Sequence, residues 1–213
     1  MRVRHKPWAK GKLNRYSDIV IHSPKDYSGE WYDVFHREAP LNVEIGTGKG
    51  QFIVGMAKKH PDENFIGIEL HESILVSALQ KCLDAEAENV RLINADARGL
   101  TELFAEDEVD SIYLNFCDPW PKNRHEKRRL TYQTFLAQYE YVLKNQGIVY
   151  FKTDNRGLFE YSLESFSRYG FILQNISLDL HQSQFPDNVM TEYEEKFSAK
   201  GQRIYRCEAV CGY

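Results

Sequence analysis

From residue 41 onward, short apolar runs alternate with longer stretches in which apolar residues recur every third or fourth position. The runs at 41–45, 64–69, 90–95, 109–116 and 148–152 are strand-length, and Gly, Pro, Asn or Asp punctuates the chain around them, which predicts strands. The intervening stretches predict helices. Over 72–83, Ile74, Leu75, Ala78, Leu79, Cys82 and Leu83 fall on one stripe, and 51–60 is stopped by Pro61. Helices over 132–144 and 155–168 follow the same logic, with a turn at Gln146-Gly147 between the first of them and the next strand. Trp31, Val34 and Phe35 predict a short helix before the first strand. Near the C-terminus, 171–177 and 203–210 read as closing strands, separated by the polar segment 181–201. That connection is long for a compact domain, which makes it a candidate lid.

Strands alternating with helices at this spacing imply an α/β fold: a doubly wound, mostly parallel, seven-stranded sheet with helices on both faces. In such a sheet the loops leaving the strands' carboxyl ends line one crevice, and the carboxylates of this chain fall there. Glu44 and the turn Gly46-Thr47-Gly48-Lys49-Gly50 end the first strand, Glu69 the second, Asp96 the third, Asp118 the fourth and Asp154 the fifth. Acids recurring at one topological position point to a ligand site, although Glu69, Asp96 and Asp154 each also fit helix capping.

Composition narrows the setting. A chain of 213 residues with 42% hydrophobic content supports one core. Residues 23–213 read as a single domain and 1–22 as a basic arm, without apolar periodicity to about Lys12 and expected to be flexible. No apolar run approaches the roughly 18 residues a membrane span needs, and no signal-peptide pattern opens the chain, so a cytoplasmic protein is expected. Cys82, Cys117, Cys207 and Cys211 contain no C-x-x-C pair and lie apart from the histidines, so no metal site or disulfide framework is expected. The net charge is −4, but residues 1–17 carry six Lys or Arg and no acid, and 122–129 carry five with one Glu. The rest therefore holds −14, a separation that favours an anionic partner on one face.

The densest chemistry lies in Leu-Asn-Phe-Cys-Asp-Pro-Trp-Pro, residues 114–121. Two prolines fix their φ angles and push Asp118 and Trp120 toward extended geometry on a rigid loop. Lys122, Arg124, His125, Lys127, Arg128 and Arg129 follow with only Glu126 opposing, a pattern suited to phosphate oxygens. For the glycine turn two cofactor classes compete. A dinucleotide requires G-x-G-x-x-G, and here Gln51 occupies the place of the third glycine. Glu44 would sit poorly near a pyrophosphate and well near an ammonium or a sulfonium.

Glu44-x-Gly46-x-Gly48-x-Gly50 resembles the first motif of S-adenosylmethionine-dependent methyltransferases, whose fold is Rossmann-like. The string 118–129, together with Lys152-Thr153-Asp154 and Thr191-Glu192-Tyr193-Glu194, closely resembles the bacterial tRNA (guanine-N7)-methyltransferases from about Pro40 to the C-terminus. That resemblance implies methyl transfer from S-adenosylmethionine to a tRNA guanosine in the variable loop, conventionally position 46. It implies cofactor contacts at Glu44, Gly46, Gly48, Gly50, Glu69, Asp96 and Asp118, with Asp118 also catalytic. It implies substrate contacts at Lys122, Asp154, Thr191, Glu192, Tyr193 and Glu194, and RNA contacts over Arg124, His125, Glu126, Lys127, Arg128 and Arg129. No obligatory protein partner is implied, and both monomer and homodimer stay open. Guanine N7 and O6 are acceptors, so carboxylates grip the opposite edge, a role expected for Asp154 or Glu194, with Trp120 or Tyr193 stacking on the base. Thr191 to Glu194 also fits a capping box. A methyltransferase acting on an exocyclic amine or a small molecule, and a non-catalytic RNA-binding protein, remain alternatives.

Overall fold

The alternating runs form the expected elements in a computed structural model that describes residues 5–185 and 188–212. In chain order these are α1 (Ala9–Leu13), β1 (Val20–Ile21), α2 (Trp31–Phe35), β2 (Leu41–Ile45), α3 (Gln51–Lys59), β3 (Asn64–Ile68), α4 (Glu72–Asp84), β4 (Val90–Ile93) and α5 (Leu100–Leu103). Then follow β5 (Val109–Asn115), α6 (Gln133–Val142), β6 (Leu143–Thr153), α7 (Arg156–Tyr169), β7 (Ile172–Ser177), α8 (Glu192–Ser198) and β8 (Tyr205–Val210). One sheet runs β1-β4-β3-β2-β5-β6-β8-β7. Pairing is parallel from β1 through β6, and β8 runs antiparallel between β6 and β7.

The sheet has eight strands rather than the expected seven. The extra one is β1, whose Val20 and Ile21 pair with Leu92 and Ile93. Two residues carry no periodicity, so only the pairing partner reveals them. A second difference lies in β6, which begins at Leu143 and absorbs the expected turn: Gln146 takes a φ of 64° and the register with β5 shifts between Val109 and Ser111. The chain there bulges within a strand instead of breaking it.

Both sheet faces are covered, which explains why β2 and β3 are buried at every residue. One apolar layer joins the sheet to α2, α5, α6 and α7 through Trp31, Leu103, Leu136, Tyr139, Phe159 and Phe166. The other joins it to α1, α3 and α4 through Ala9, Leu13, Phe52, Ile53, Leu75 and Leu79. Trp31, almost wholly buried, satisfies its indole N–H by donating to the Leu103 carbonyl at 2.9 Å. Among the described residues no helix is long and apolar enough to cross a membrane.

Residues 5–22 differ from the unpatterned arm read from the sequence. Ala9 and Leu13, four apart, lie on one side of α1 and are buried in the α3–α4 layer, and the Lys6 amide donates to Ser73 Oγ at 2.9 Å. A single helical turn is too short for a hydrophobic stripe to register in the sequence. Arg2 and Arg4 lie outside the described residues. Leu13→Ala is expected to lower stability by about 2 kcal/mol in urea unfolding, the lower end for a buried leucine, because undocking of the arm caps the loss. An unchanged midpoint would show that the arm contributes nothing to the fold.

Candidate active site

The site is built where β2 to β6 end. The turn after β2 keeps Gly46, Gly48 and Gly50 at φ of 79°, 58° and 86°, a region where L side chains are strained. Gly50 is further constrained by packing, since a Cβ there would stand 2.8 Å from Cα and Cβ of Ala78 in α4. The turn is pinned from below. The amides of Gly46 and Thr47 donate to the Ile68 carbonyl at 2.8 and 3.0 Å, and the start of α3 is left facing the crevice.

Glu44 sits beneath this turn, with both oxygens engaged. Oε2 accepts from Thr47 Oγ1 at 2.7 Å and Oε1 from Asn115 Nδ2 at 2.9 Å. Burial pushes its carboxyl up to about 7, and the two hydrogen bonds and the nearby Lys152 only partly oppose that rise. Glu69 ties the turn to α4: Oε2 accepts from the Gly48 amide at 3.2 Å and Oε1 from the His71 amide at 2.9 Å. Each oxygen retains capacity to accept from one further donor. Asp96 realises the capping alternative. Its Oδ1 accepts from the Arg98 amide at 2.9 Å, while Oδ2 receives the Arg98 guanidinium at 2.6 and 3.0 Å, which holds the carboxyl below its ordinary value.

Asp118 is exposed just beyond β5, and among the described residues nothing donates a hydrogen bond to it. The loop around it departs from expectation at Trp120. Instead of extended geometry it adopts φ of 41°, and Phe116 has φ of 53°. The basic string folds back to hold this strained residue: Arg129 donates to the Trp120 carbonyl at 3.1 and 3.3 Å, the Arg128 guanidinium lies 4.8 Å from the indole, and His125 meets the ring edge at 5.6 Å. Arg129 also stacks on Tyr161 at 4.2 Å, so its guanidinium is engaged on the loop. Lys122, Arg124, Lys127 and Arg128 are exposed, whereas Glu126 and His125 are partly covered on the 3₁₀ segment Asn123–Arg128.

The last expected cluster divides three ways. Asp154, at the end of β6, does not cap α7; Asn155 does, its Oδ1 accepting from the Leu158 amide at 2.8 Å. Asp154 Oδ2 instead accepts from the Tyr193 hydroxyl at 2.8 Å, and the half-exposed Tyr193 ring lies 5.0 Å from Phe116 and 4.2 Å from Phe197. Thr191 caps α8 by accepting from the Glu194 amide at 3.0 Å, and Glu192 faces Lys81 of α4 at 3.5 Å. Glu194 turns inward, wholly buried, and pairs with Lys152 at 2.8 Å. Its carboxylate therefore neither completes a capping box nor faces a base, a correction to both readings. Lys152 is the residue the sequence undervalued; its signal was a lone cation inside an apolar strand, a position tolerated only with a buried partner.

The crevice side chains fit a small cationic ligand beside a nucleobase: a buried carboxylate under a glycine turn, a second acid at the next strand end, and an aromatic ring with a carboxylate across the edge. Among the described residues no three His, Cys, Asp or Glu side chains are grouped to hold a metal. Because the raised carboxyl makes ionising Glu44 cost about 3 kcal/mol more in the folded protein than in the unfolded chain, its contribution to ligand-free stability falls as pH rises from about 4.5 to 7 and is constant above that. Glu44→Gln, whose oxygen still accepts from Asn115 and whose amide group donates to Thr47 Oγ1 in a reversed bond, is expected to raise ligand-free stability at pH 8 by about 2 kcal/mol and to leave it nearly unchanged at pH 4 in denaturant titrations. Equal effects at both pH values would show that the buried charge costs nothing.

Comparison with known proteins bears on what such a site handles. A family model described as "Putative methyltransferase" matches residues 38–207. The tRNA (guanine-N(7)-)-methyltransferase of Geobacillus kaustophilus is 61% identical over 210 residues, covering 99% of this chain and 97% of that protein. The protein of the same name from Bacillus subtilis strain 168 is 61% identical over 208 residues, with 98% of each chain covered. Among solved structures, an antibiotic-related methyltransferase superposes with a TM-score of 0.63 at 19% identity, over 89% of this chain and 94% of that one, a likeness of fold. Near-complete coverage at this identity leaves no segment of the crevice unmatched in extent, and the chain belongs to the tRNA (guanine-N7-)-methyltransferase family.

Proposed function

We propose that the protein transfers a methyl group from S-adenosylmethionine to N7 of a guanosine in tRNA, at the variable-loop position conventionally numbered 46. The observation that carries this is identity of about 60% over nearly the whole chain to relatives bearing that activity in their names. The geometry is consistent with it. Glu44, the turn 46–50, Glu69 and Asp118 line the cofactor side, with Asp96 at its margin held by Arg98.

Bound there, S-adenosylmethionine supplies a methyl group made electrophilic by its sulfonium. The protein's part is alignment and charge. Guanine N7 offers an in-plane lone pair and no proton, so no general base is needed, and Asp118 serves as a carboxylate facing positive charge that moves from sulfur to the ring. Asp154, with one oxygen taken by Tyr193, keeps the other for the guanine's Watson–Crick donors. Tyr193 offers an edge-supported ring for the extruded base, and Lys122 reaches O6 or a phosphate. Arg124, Lys127 and Arg128 face the RNA backbone, with Arg128 also supporting Trp120. Lys6 and Lys12 of the docked arm add positive charge beside α4, where they bond Ser77 and Gln80. The enzyme works in the cytoplasm without an obligatory protein partner, as monomer or homodimer.

Labelled methyl from S-adenosylmethionine is expected to appear as 7-methylguanosine when an unmodified tRNA transcript is treated and digested to nucleosides. Label in another nucleoside would overturn the acceptor. Asp154→Ala is expected to lower kcat/KM for tRNA at least about tenfold, and wild-type transfer at limiting tRNA would remove Asp154 from base recognition. Calorimetry of cofactor binding at pH 7 in buffers of different ionisation enthalpy should register release of roughly half a proton, lost in Glu44→Gln, because a cationic ligand favours ionised Glu44. Buffer-independent heats would show that Glu44 does not sense the cofactor's charge.

A further inference from the structure

The buried charges at the end of β6 account for how the acceptor side is assembled. Lys152 Nζ spends its three protons on three acceptors: Glu194 Oε2 at 2.8 Å, Asn188 Oδ1 at 2.9 Å and the Val189 carbonyl at 3.0 Å. The other Glu194 oxygen accepts from Asn188 Nδ2 at 2.6 Å and lies 3.2 Å from His181 Nε2. Burial pulls the Lys152 ammonium below its ordinary range, and the Glu194 carboxylate opposes that pull. Drawing Glu194 out to reach a base would strip the buried Lys152 ammonium of its directly bonded carboxylate, a strongly unfavourable change.

We propose that Lys152 and Glu194 act as one positioning pair, a buried pin that seats residues 188–198 on the end of β6 and thereby delivers Tyr193 to Asp154, while Glu194 itself never touches the base. This rests on the reading of Asp154 and Tyr193 as the acceptor side. Lys152 lies near the end of β6 and Asp154 just beyond it, while Glu194 and Tyr193 are adjacent on α8 and point about 100° apart. Fixing the first pair therefore fixes the second. Tyr193 then meets Asp154 at 2.8 Å with its ring against Phe116. Two further ties hold the same segment to α3. Gln51 Nε2 donates to the Met190 carbonyl at 3.3 Å, and Gly55 leaves room for Val189, whose Cγ1 would lie 2.6 Å from a Cβ at that position. The pin also adjoins the proposed cofactor side: Asn115, which holds Glu44, is register partner to Lys152, and Glu44 favours the charged form of Lys152.

The test compares Lys152→Met, Glu194→Gln and the double variant by tRNA kinetics and by deuterium uptake of 188–198 without RNA. Each single change should raise KM for tRNA on the order of tenfold, leave kcat at saturating tRNA within about threefold, and speed exchange across 188–198. The double variant should be no worse than the worse single one, since both break one tie. Wild-type KM in Lys152→Met beside a large loss in Glu194→Gln, or losses that add, would place Glu194 on the base and overturn the pin. Should a buried-charge variant fail to fold, Asn188→Ala removes one tie from each partner and leaves the charges paired. It should raise KM a few-fold, about two to five, with faster exchange, and unchanged values of both would overturn the proposal. If the wild type methylates no tRNA, the acceptor reading fails, yet exchange in the variants still decides whether the pair seats the segment.

Discussion

Parallel pairing of β2 through β6 is the constraint from which the site follows. Helical crossovers return each strand to the same starting edge, so every loop that leaves a strand emerges at the opposite one. Between β2 and β5 the order reverses, with β3 and β4 stepping away on one side and β6 on the other. Loops diverge at that point, and Glu44, Glu69, Asp96, Asp118 and Asp154 stand at or just beyond five successive strand ends on that edge. No side chain had to be recruited individually; the topology delivers all of them.

The two sides of the crevice are built differently. On the side assigned to the cofactor each acid keeps a bond within its own turn, Glu44 to Thr47, Glu69 to His71 and Asp96 to Arg98, and Glu44 and Glu69 add a second to Asn115 and Gly48 on neighbouring strand ends. These acids are seated by their own turns together with the adjoining strand ends. On the acceptor side the ties run between loops, helix and strand end. Arg129 returns to Trp120, Tyr193 reaches Asp154, and Glu194 reaches Lys152 across 42 residues of chain. Such a surface is assembled only when α8 docks, which suits a partner as large and as anionic as RNA.

Buried ionisable groups mark the seam between the two sides. Burial pushes the Glu44 carboxyl up to about 7, and Lys152 and Glu194 meet as a buried pair 2.8 Å apart. A charge kept inside at such cost is more informative than an exposed one. The exposed basic string divides in a similar way: Arg129 is consumed in supporting a strained Trp120, while Arg124 and Lys127 stay outward.

Periodicity and punctuation alone determined the doubly wound sheet, the glycine turn and the acids at the strand ends, because helix and strand periods and the steric demands of Gly and Pro are local. The strings 118–129, 152–154 and 191–194, by their resemblance, pointed to the family from the sequence as well. Tertiary structure decided what locality does not contain. The two-residue β1, the docked α1 and the bulge in β6 exist through their partners, and Trp120 is left-handed because Arg129 and Arg128 hold it there. Likewise Asn155 rather than Asp154 caps α7, and Glu194 points inward. Whether an acid faces a ligand or a buried lysine depends on which distant strand its helix packs against, and that information resides in the assembled sheet.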